Sequence, residues 1–435
     1  MRPGGGHPPY AADAQPSAAT VTTLLIAAAI AGTAGLALSW LAMRGGWRPP
    51  IRPLVAAGCL AAVALIFLPH IGSADPESYA AYGREAAVGL NPYTTDPATL
   101  AGRGDAYGGI VEPPWQHTAS VYGPLATAEQ DAAARIAGGG DPRTAVWLLN
   151  LAGAAAFVVA SLLLLRVARD DTSKARVAVL WAANPLLLWQ LVAGAHVDTV
   201  EIAFAVGAVA AIRRSALLAG LLAGAAVIVK LPAALVAAGL AWTLRRAPRK
   251  LAVFGVTGAV VVIAAYAAAG KHALDQARTA SRFVSRATPW RPLATLLDHA
   301  WGRSSSRELI GACALVIGIA LVALIARSHR DQSFAFPAAL LVLAYVLVTP
   351  YALPWYDGLA WALVVVLTSS RLDLVLLAHT AVLSLAYIPG RDVPLPSAVD
   401  HLTGALRDTF APTVLGLLVA TLMWLGYRRL AAHPG

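Results

Sequence analysis

The sequence predicts an all-α polytopic membrane protein with about thirteen transmembrane helices, and three observations predict it. The 435 residues are 58% hydrophobic and 13% charged, with a mean hydropathy of +0.64. Soluble domains carry roughly twice that charge fraction. Apolar runs of about 20 residues recur along the whole chain, each long enough to cross a bilayer. The basic residues collect in short loops between those runs, which is the positive-inside pattern.

The expected spans are roughly 22–43, 53–70, 144–165, 177–194, 198–212, 215–230, 231–244, 251–269, 309–326, 334–350, 358–369, 372–388 and 411–427. One set of connections is short and basic. It holds Arg44, Arg48 and Arg52, then Arg166, Arg169, Lys174 and Arg176, then Arg213 and Arg214. Arg245, Arg246, Arg249 and Lys250 follow, then Arg327 and Arg330, Arg371, and last Arg428 and Arg429. Only Asp170, Asp171, Asp331 and Asp373 of the 23 acids share that side, which is therefore placed in the cytoplasm. The N-terminus is then outside and the C-terminus inside. Residues 1–20, rich in Pro, Gly and Ala, read as a disordered tail, and 21–430 as one transmembrane catalytic domain. Its long outer loops run from about 71 to 143, 270 to 308 and 389 to 410. The expected location is the plasma membrane, with the active site on the extracytoplasmic side.

Several function classes drop out. The net charge of +10 lies in short loops rather than on a groove, so no nucleic-acid partner is expected. Cys59 and Cys313 lie inside apolar runs and read as small buried hydrophobes. No soluble segment is large enough for a Rossmann unit or a kinase, and no glycine-rich nucleotide motif appears. No repeat is visible; Gly220 and Gly224 sit in spans, where they let helices approach closely.

The chemistry must then come from the outer loops and span mouths. Asp75-Pro76-Glu77-Ser78 reads as a helix start, with Asp75 as N-cap, Pro76 in the first turn and Glu77 complementing the dipole. An ionised aspartate fixed just outside the membrane surface is also what a general base needs to meet a lipid-borne substrate. Glu85 is a third acid on the same stretch. Tyr79, Tyr82 and Arg84 follow on a short helix ended by Gly89, and Asn91-Pro92-Tyr93 is a turn. Trp115 and Tyr122 read either as interfacial anchors or as platforms for sugar rings.

His196 and Asp198 fall between two spans at the outer face, with Glu201 about a turn further. Polar groups at membrane depth default to function; a plain short loop is the bland alternative. Two ligands without a third make a weak metal site, whereas a histidine that donates to a phosphate or a sugar hydroxyl is equally good chemistry. Lys230 stands at the outer end of an apolar run, either snorkelling or pairing with a phosphate. Arg278, Arg282 and Arg286 are spaced by four, which predicts one face of an amphipathic helix on the outer leaflet, flanked by Phe283 and Trp290. They grip anionic head groups in general or the phosphate of a lipid-linked donor. In "TPYALPWYDGLAW", two prolines break a helix before Trp355, Tyr356 and Asp357, an interfacial pair or a sugar site.

These residues, in this order, resemble those of the actinobacterial GT-C membrane glycosyltransferases, most closely the polyprenol-phosphomannose-dependent alpha-1,6-mannosyltransferases of lipoglycan synthesis. The Asp-x-x-Ser-Tyr motif of that family corresponds to Asp75, Ser78 and Tyr79. Gly-x-(Asp or Asn)-Pro-Tyr corresponds to Gly89, Asn91, Pro92 and Tyr93, and Tyr-Gly-Pro-Leu to Tyr122–Leu125. Gly-Gly-His-Asn-Asp corresponds to Gly194–Asp198, where Ala195 and Val197 depart from it; Asn91 stands where Asp is usual. Lys-x-Pro matches Lys230 and Pro232, and Pro-Trp-Tyr matches Pro354–Tyr356. The match spans roughly 50–430.

The resemblance implies an inverting transferase that moves a sugar, mannose first and arabinose or glucose as alternatives, from a polyprenyl-phosphate donor to a glycolipid or glycan acceptor. Asp75 is implied as the base. Glu77, Tyr79, Tyr93, Tyr122, His196, Asp198, Trp355 and Tyr356 are implied substrate contacts, and Lys230, Arg282 and Arg286 the cations for the donor phosphate. No metal or other cofactor is expected; the lipid-linked sugar is a co-substrate, and membrane lipids surround the whole. A lipid or glycan transporter is the competing class, but it would place polar residues in mid-span, whereas here they gather at one face.

Overall fold

The computed structural model describes residues 16–328 and 333–432, all helix, turn and loop, with no strand among them. Residues 1–15 of the expected tail lie outside the described residues, as do Arg330 and Asp331 of one basic loop. A helix stands at each of the thirteen expected span positions. Among the described residues, six are long and apolar enough to cross a membrane: Ala18–Arg44, Pro142–Val167, Asp171–Ala193, Pro248–Ala269, Arg303–Arg327 and Ser397–Arg428. The chain is a membrane-embedded helical protein. Shorter apolar helices such as Ala216–Val229, Phe336–Val348 and Leu372–Tyr387 fill the interior between them.

Burial sorts the helices. Pro248–Ala269 keeps only Phe254 buried, so its apolar residues face outward. Phe336–Val348 buries most of its side chains and Asp357–Val364 all of them, and the core gathers around Phe157, Trp181 and Trp361. Close helix contact relies on small residues, as expected: a Cβ on Gly220 would lie 2.5 Å from the Phe254 carbonyl oxygen, and one on Gly224 2.9 Å from that of Gly258.

Two buried polar clusters pin the bundle. Arg176 donates to the carbonyls of Val364, Val365 and Leu367 and pairs with Asp373, which also accepts from Trp40 Nε1. Elsewhere Asp357 accepts from His379 Nδ1 (2.9 Å) and Thr380 Oγ1 (2.7 Å), and Thr380 in turn accepts from Trp361. A buried charge needs such partners to offset its lost hydration. The second cluster fixes the Pro354–Tyr356 turn that lies against the site.

The first long loop folds into helices, chiefly Asp75–Ala87 and Pro124–Ala137, which pack on each other. Two expectations change here. Asp75 is not the N-cap: Ala74 holds that position, and Asp75 is the first helical residue with its own N–H held by Ser73 Oγ. Its carboxylate is thus free of capping. The expected helix through Arg278, Arg282 and Arg286 ends at Ala280. Beyond it the backbone pairs with the 350–352 segment instead: Ser285 N–H donates to Pro350 and its hydroxyl to Ala352.

Gly83 shows how tight the loop packing is, since a Cβ there would lie 2.1 Å from the Gln130 carbonyl oxygen. Ala in place of a helical Gly normally gains about 1 kcal/mol. Gly83→Ala is expected to reverse that sign, with an overpacking cost on the order of 1–3 kcal/mol that a thermal melt in detergent reads as a lowered Tm.

Candidate functional site

Four chain segments converge on Asp75. Its carboxylate accepts from the Tyr79 hydroxyl (3.2 Å), one turn along its own helix, and lies 3.5 Å from His196 Nδ1. His196 Nδ1 is 3.3 Å from the same hydroxyl, so with Nδ1 protonated the chain of donors runs from His196 through Tyr79 to Asp75. His196 is buried and stacks on Trp355 with ring centroids 3.6 Å apart. Burial first, and then the nearby Lys230 charge, hold the imidazole well below its ordinary pKa and therefore neutral.

The backbone that delivers His196 is strained. Ala195 is the one non-glycine with positive φ among the described residues, at 51°. That left-handed conformation is where the family pattern has glycine. Gly194 is required for space, because a Cβ there would meet the imidazole Cδ2 at 2.7 Å.

Lys230 enters at the C-terminal end of Ala216–Val229. Its Nζ is 2.7 Å from Asp198 Oδ1 and stands 4.0 Å from the centroid of the Tyr356 ring. Asp198 thus holds a cation at the site rather than lining it, and Glu201 is buried one turn on. Tyr122 packs edge-on against Tyr79, with centroids 4.9 Å apart.

Asp75 borders two cavities. The larger, about 630 Å³, has Asp75, Ser78, Tyr122, Lys230 and Tyr356 at one end and apolar side chains of Arg303–Ser328 and Phe336–Val348 along its wall. The smaller, about 480 Å³, is lined by Glu112, Arg286, Tyr387, Arg391 and Arg407 among others. Both volumes lie in the range of ligand pockets.

The sequence-predicted residues therefore divide. Asp75, Tyr122, Lys230 and Tyr356 line the larger cavity. Tyr79, His196, Asp198 and Trp355 stand directly behind them, supporting Asp75 and Lys230. Arg286 lines the smaller cavity and makes a two-point ion pair with Asp408. Arg282 is 60% exposed, faces Glu308 at 3.6 Å, and borders neither. Tyr93 is buried and hydrogen-bonded to Thr127 within the first long loop. Glu85 is also buried and pushed up to about 8, chiefly by burial, away from both cavities.

Glu77 is fully buried and already partnered: His70 Nε2 is 3.0 Å away and Arg391 2.8 Å away. Although burial opposes it, these two neighbours hold the carboxyl below its ordinary pKa. Arg391 also bonds Glu112 Oε1 (2.8 Å from Nε), while the Asp392 N–H donates to Glu112 Oε2. Sequence reasoning missed His70, Glu112 and Arg391. Arg391 lies 314 positions from Glu77, and no periodicity links them. Among the described residues no group of three His, Cys, Asp or Glu side chains is placed to hold a metal.

Residues 11–246 match a family described as alpha-(1->6)-mannopyranosyltransferase, N-terminal domain. The chain belongs to this family. It is a glycosyltransferase of the GT-C type, and mannosyl transfer is its activity class. Comparison with curated proteins and with solved structures gave no match. The matched region holds Asp75, His196 and Lys230; Trp355, Tyr356, Arg391 and the apolar wall lie beyond it.

Burial raises the Asp75 pKa to about 7, opposed by the Lys230 charge and the Tyr79 hydrogen bond. A general base must be ionised, so if Asp75 serves as one, kcat/KM is expected to fall as pH drops through about 7. The Lys230 charge holds the Asp75 pKa down, so removing it lets that pKa rise. The acid limb of Lys230→Met is therefore expected at higher pH than that of the wild type, read from a pH–rate profile.

Proposed function

We propose that the protein transfers mannose, with inversion, from a polyprenyl-phosphate donor to a glycolipid or glycan acceptor on the extracytoplasmic side of the plasma membrane. The observation that carries this reading is the make-up of the larger cavity. A carboxylate and a cation stand at one end, and an apolar trough leads away from them between Arg303–Ser328, which is long enough to cross the bilayer, and the shorter Phe336–Val348. Gly311, Ala314, Gly318 and Val322 share one face of Arg303–Ser328, a stripe about 16 Å long at 1.5 Å per residue, opposite Leu341, Ala344 and Val348. That shape suits an isoprenoid tail with its phosphate beside Lys230.

Asp75 then takes the proton of the acceptor hydroxyl. The acceptor oxygen bonds to the anomeric carbon as the bond from that carbon to the phosphate oxygen breaks. The electron pair leaves on polyprenyl phosphate, whose growing charge Lys230 stabilises. A β-linked donor gives an α product. Neutral His196, through Tyr79, keeps the Asp75 carboxylate oriented and accepts no proton from substrate in this scheme. The basic loops from Arg44 to Arg429 support the orientation, because they collect at connections other than the three long loops. The apolar helices and loops over 21–430 act as one catalytic unit.

The test is transfer from radiolabelled polyprenyl-phosphate mannose by wild type and Gly311→Phe. A Cβ at Gly311 meets nothing within 4 Å, so the new ring fills the trough without breaking the helix packing. The donor KM is expected to rise about tenfold or more while the acceptor KM holds. Transfer from GDP-mannose instead, or an unchanged donor KM in Gly311→Phe, contradicts the reading.

A further inference from the structure

We infer that the smaller cavity is the acceptor subsite, that it takes an uncharged sugar unit, and that Arg391 is its positioning residue. This assignment rests on the reading of the larger cavity as the donor chamber. Asp75 borders both spaces. An inverting displacement needs the attacking hydroxyl and the leaving phosphate on opposite sides of the transferred sugar, and the base must touch the hydroxyl. Two chambers that meet at one carboxylate meet both needs. The tail and phosphate occupy the apolar chamber, which leaves the other for the acceptor.

The chemistry of the second chamber points to a neutral polyol. Its guanidinium groups are already engaged: Arg286 with Asp408, Arg391 with Glu77 and Glu112, and Arg407 with the carbonyls of Ala386 and Ile388. Lys230 in the other chamber is held as well, but by one oxygen of Asp198, which leaves the rest of its three N–H donors for a phosphate. Glu112 has both oxygens occupied, by Arg391 and the Asp392 N–H, so it presents fixed lone pairs rather than a free charge. Trp115 and Tyr387 add aromatic rings to the lining. Donors and acceptors held in fixed positions, next to aromatic rings, match hydroxyl groups on a ring with an apolar face.

Arg391 ties this wall to the base. One guanidinium reaches Glu77 on the Asp75 helix, Glu112 in the middle of the first long loop, and the Ser73 carbonyl at 3.4 Å. The third long loop is pressed onto the first just beside it, since a Cβ on Gly390 would lie 1.9 Å from the Gly72 carbonyl oxygen. A shift of Arg391 therefore moves the acceptor wall and the Asp75 helix together. Lysine keeps the charge but not the planar fork that serves two carboxylates at once.

The test is photo-crosslinking of the full-length wild type in detergent with a neutral octyl α-mannoside bearing a diazirine on the sugar, mapped by mass spectrometry. Labels at 112–115, 284–287 and 386–392, competed by methyl α-mannoside, are expected. Labels along 311–322, or none that competes, overturn the assignment. So does labelling only by a phosphate-bearing version of the probe, which would make the acceptor charged. In the transfer assay, Arg391→Lys is expected to raise the acceptor KM about tenfold at constant donor KM. Loss of both in parallel would make Arg391 merely structural and overturn its role. Correct labelling by a protein that transfers nothing from polyprenyl-phosphate mannose would leave the subsite standing and remove the donor reading.

Discussion

The proposed chemistry depends on keeping one buried carboxylate, that of Asp75, ionised. Burial drives the Asp75 pKa upward, and unopposed burial would leave it protonated and inert. The Lys230 charge and the Tyr79 hydroxyl act against that, and the balance lies at about 7. Lys230 is itself costly at membrane depth, so Asp198 holds it at 2.7 Å. Each polar group thus calls for another.

The packing around the cluster fixes its geometry. Asp357, held by His379 and Thr380, anchors the turn that carries Trp355. Trp355 stacks on His196, which meets Asp75 and Tyr79. On the other side Glu77, Arg391 and Glu112 bind the Asp75 helix to the third long loop. Asp75 is therefore supported from the bundle on one side and from the loops on the other. The left-handed Ala195 is where local preference yields to this arrangement, at a cost of about 1–2 kcal/mol relative to ordinary backbone.

Much of this was legible in the sequence. Apolar runs set the helices, and Asp75, His196 and Lys230 stood out because charge is rare in such runs. The cap assignment of Asp75 failed because Ser73 and Ala74 start the helix one residue earlier, which no residue-type rule distinguishes from the Asp-Pro pattern. The arginine helix failed for a tertiary reason: Ser285 finds its partners in the 350–352 segment, and that outweighs local helical spacing. Arg391 was invisible because its partners Glu77 and Glu112 are brought to it only by loop docking. The two chambers were equally hidden, since Gly311 and Gly318 look like any small residues in a span until the facing helix is in place.

Asp75→Asn, compared with wild type at equal expression in membranes, tests the central claim most directly. The substitution keeps size and removes the basic lone pairs while His196, Tyr79 and Lys230 stay in place. The account predicts loss of mannosyl transfer by on the order of a hundredfold or more, the usual scale for general-base catalysis, with donor binding retained. Transfer at the wild-type rate would show that Asp75 is not the base and would contradict the account.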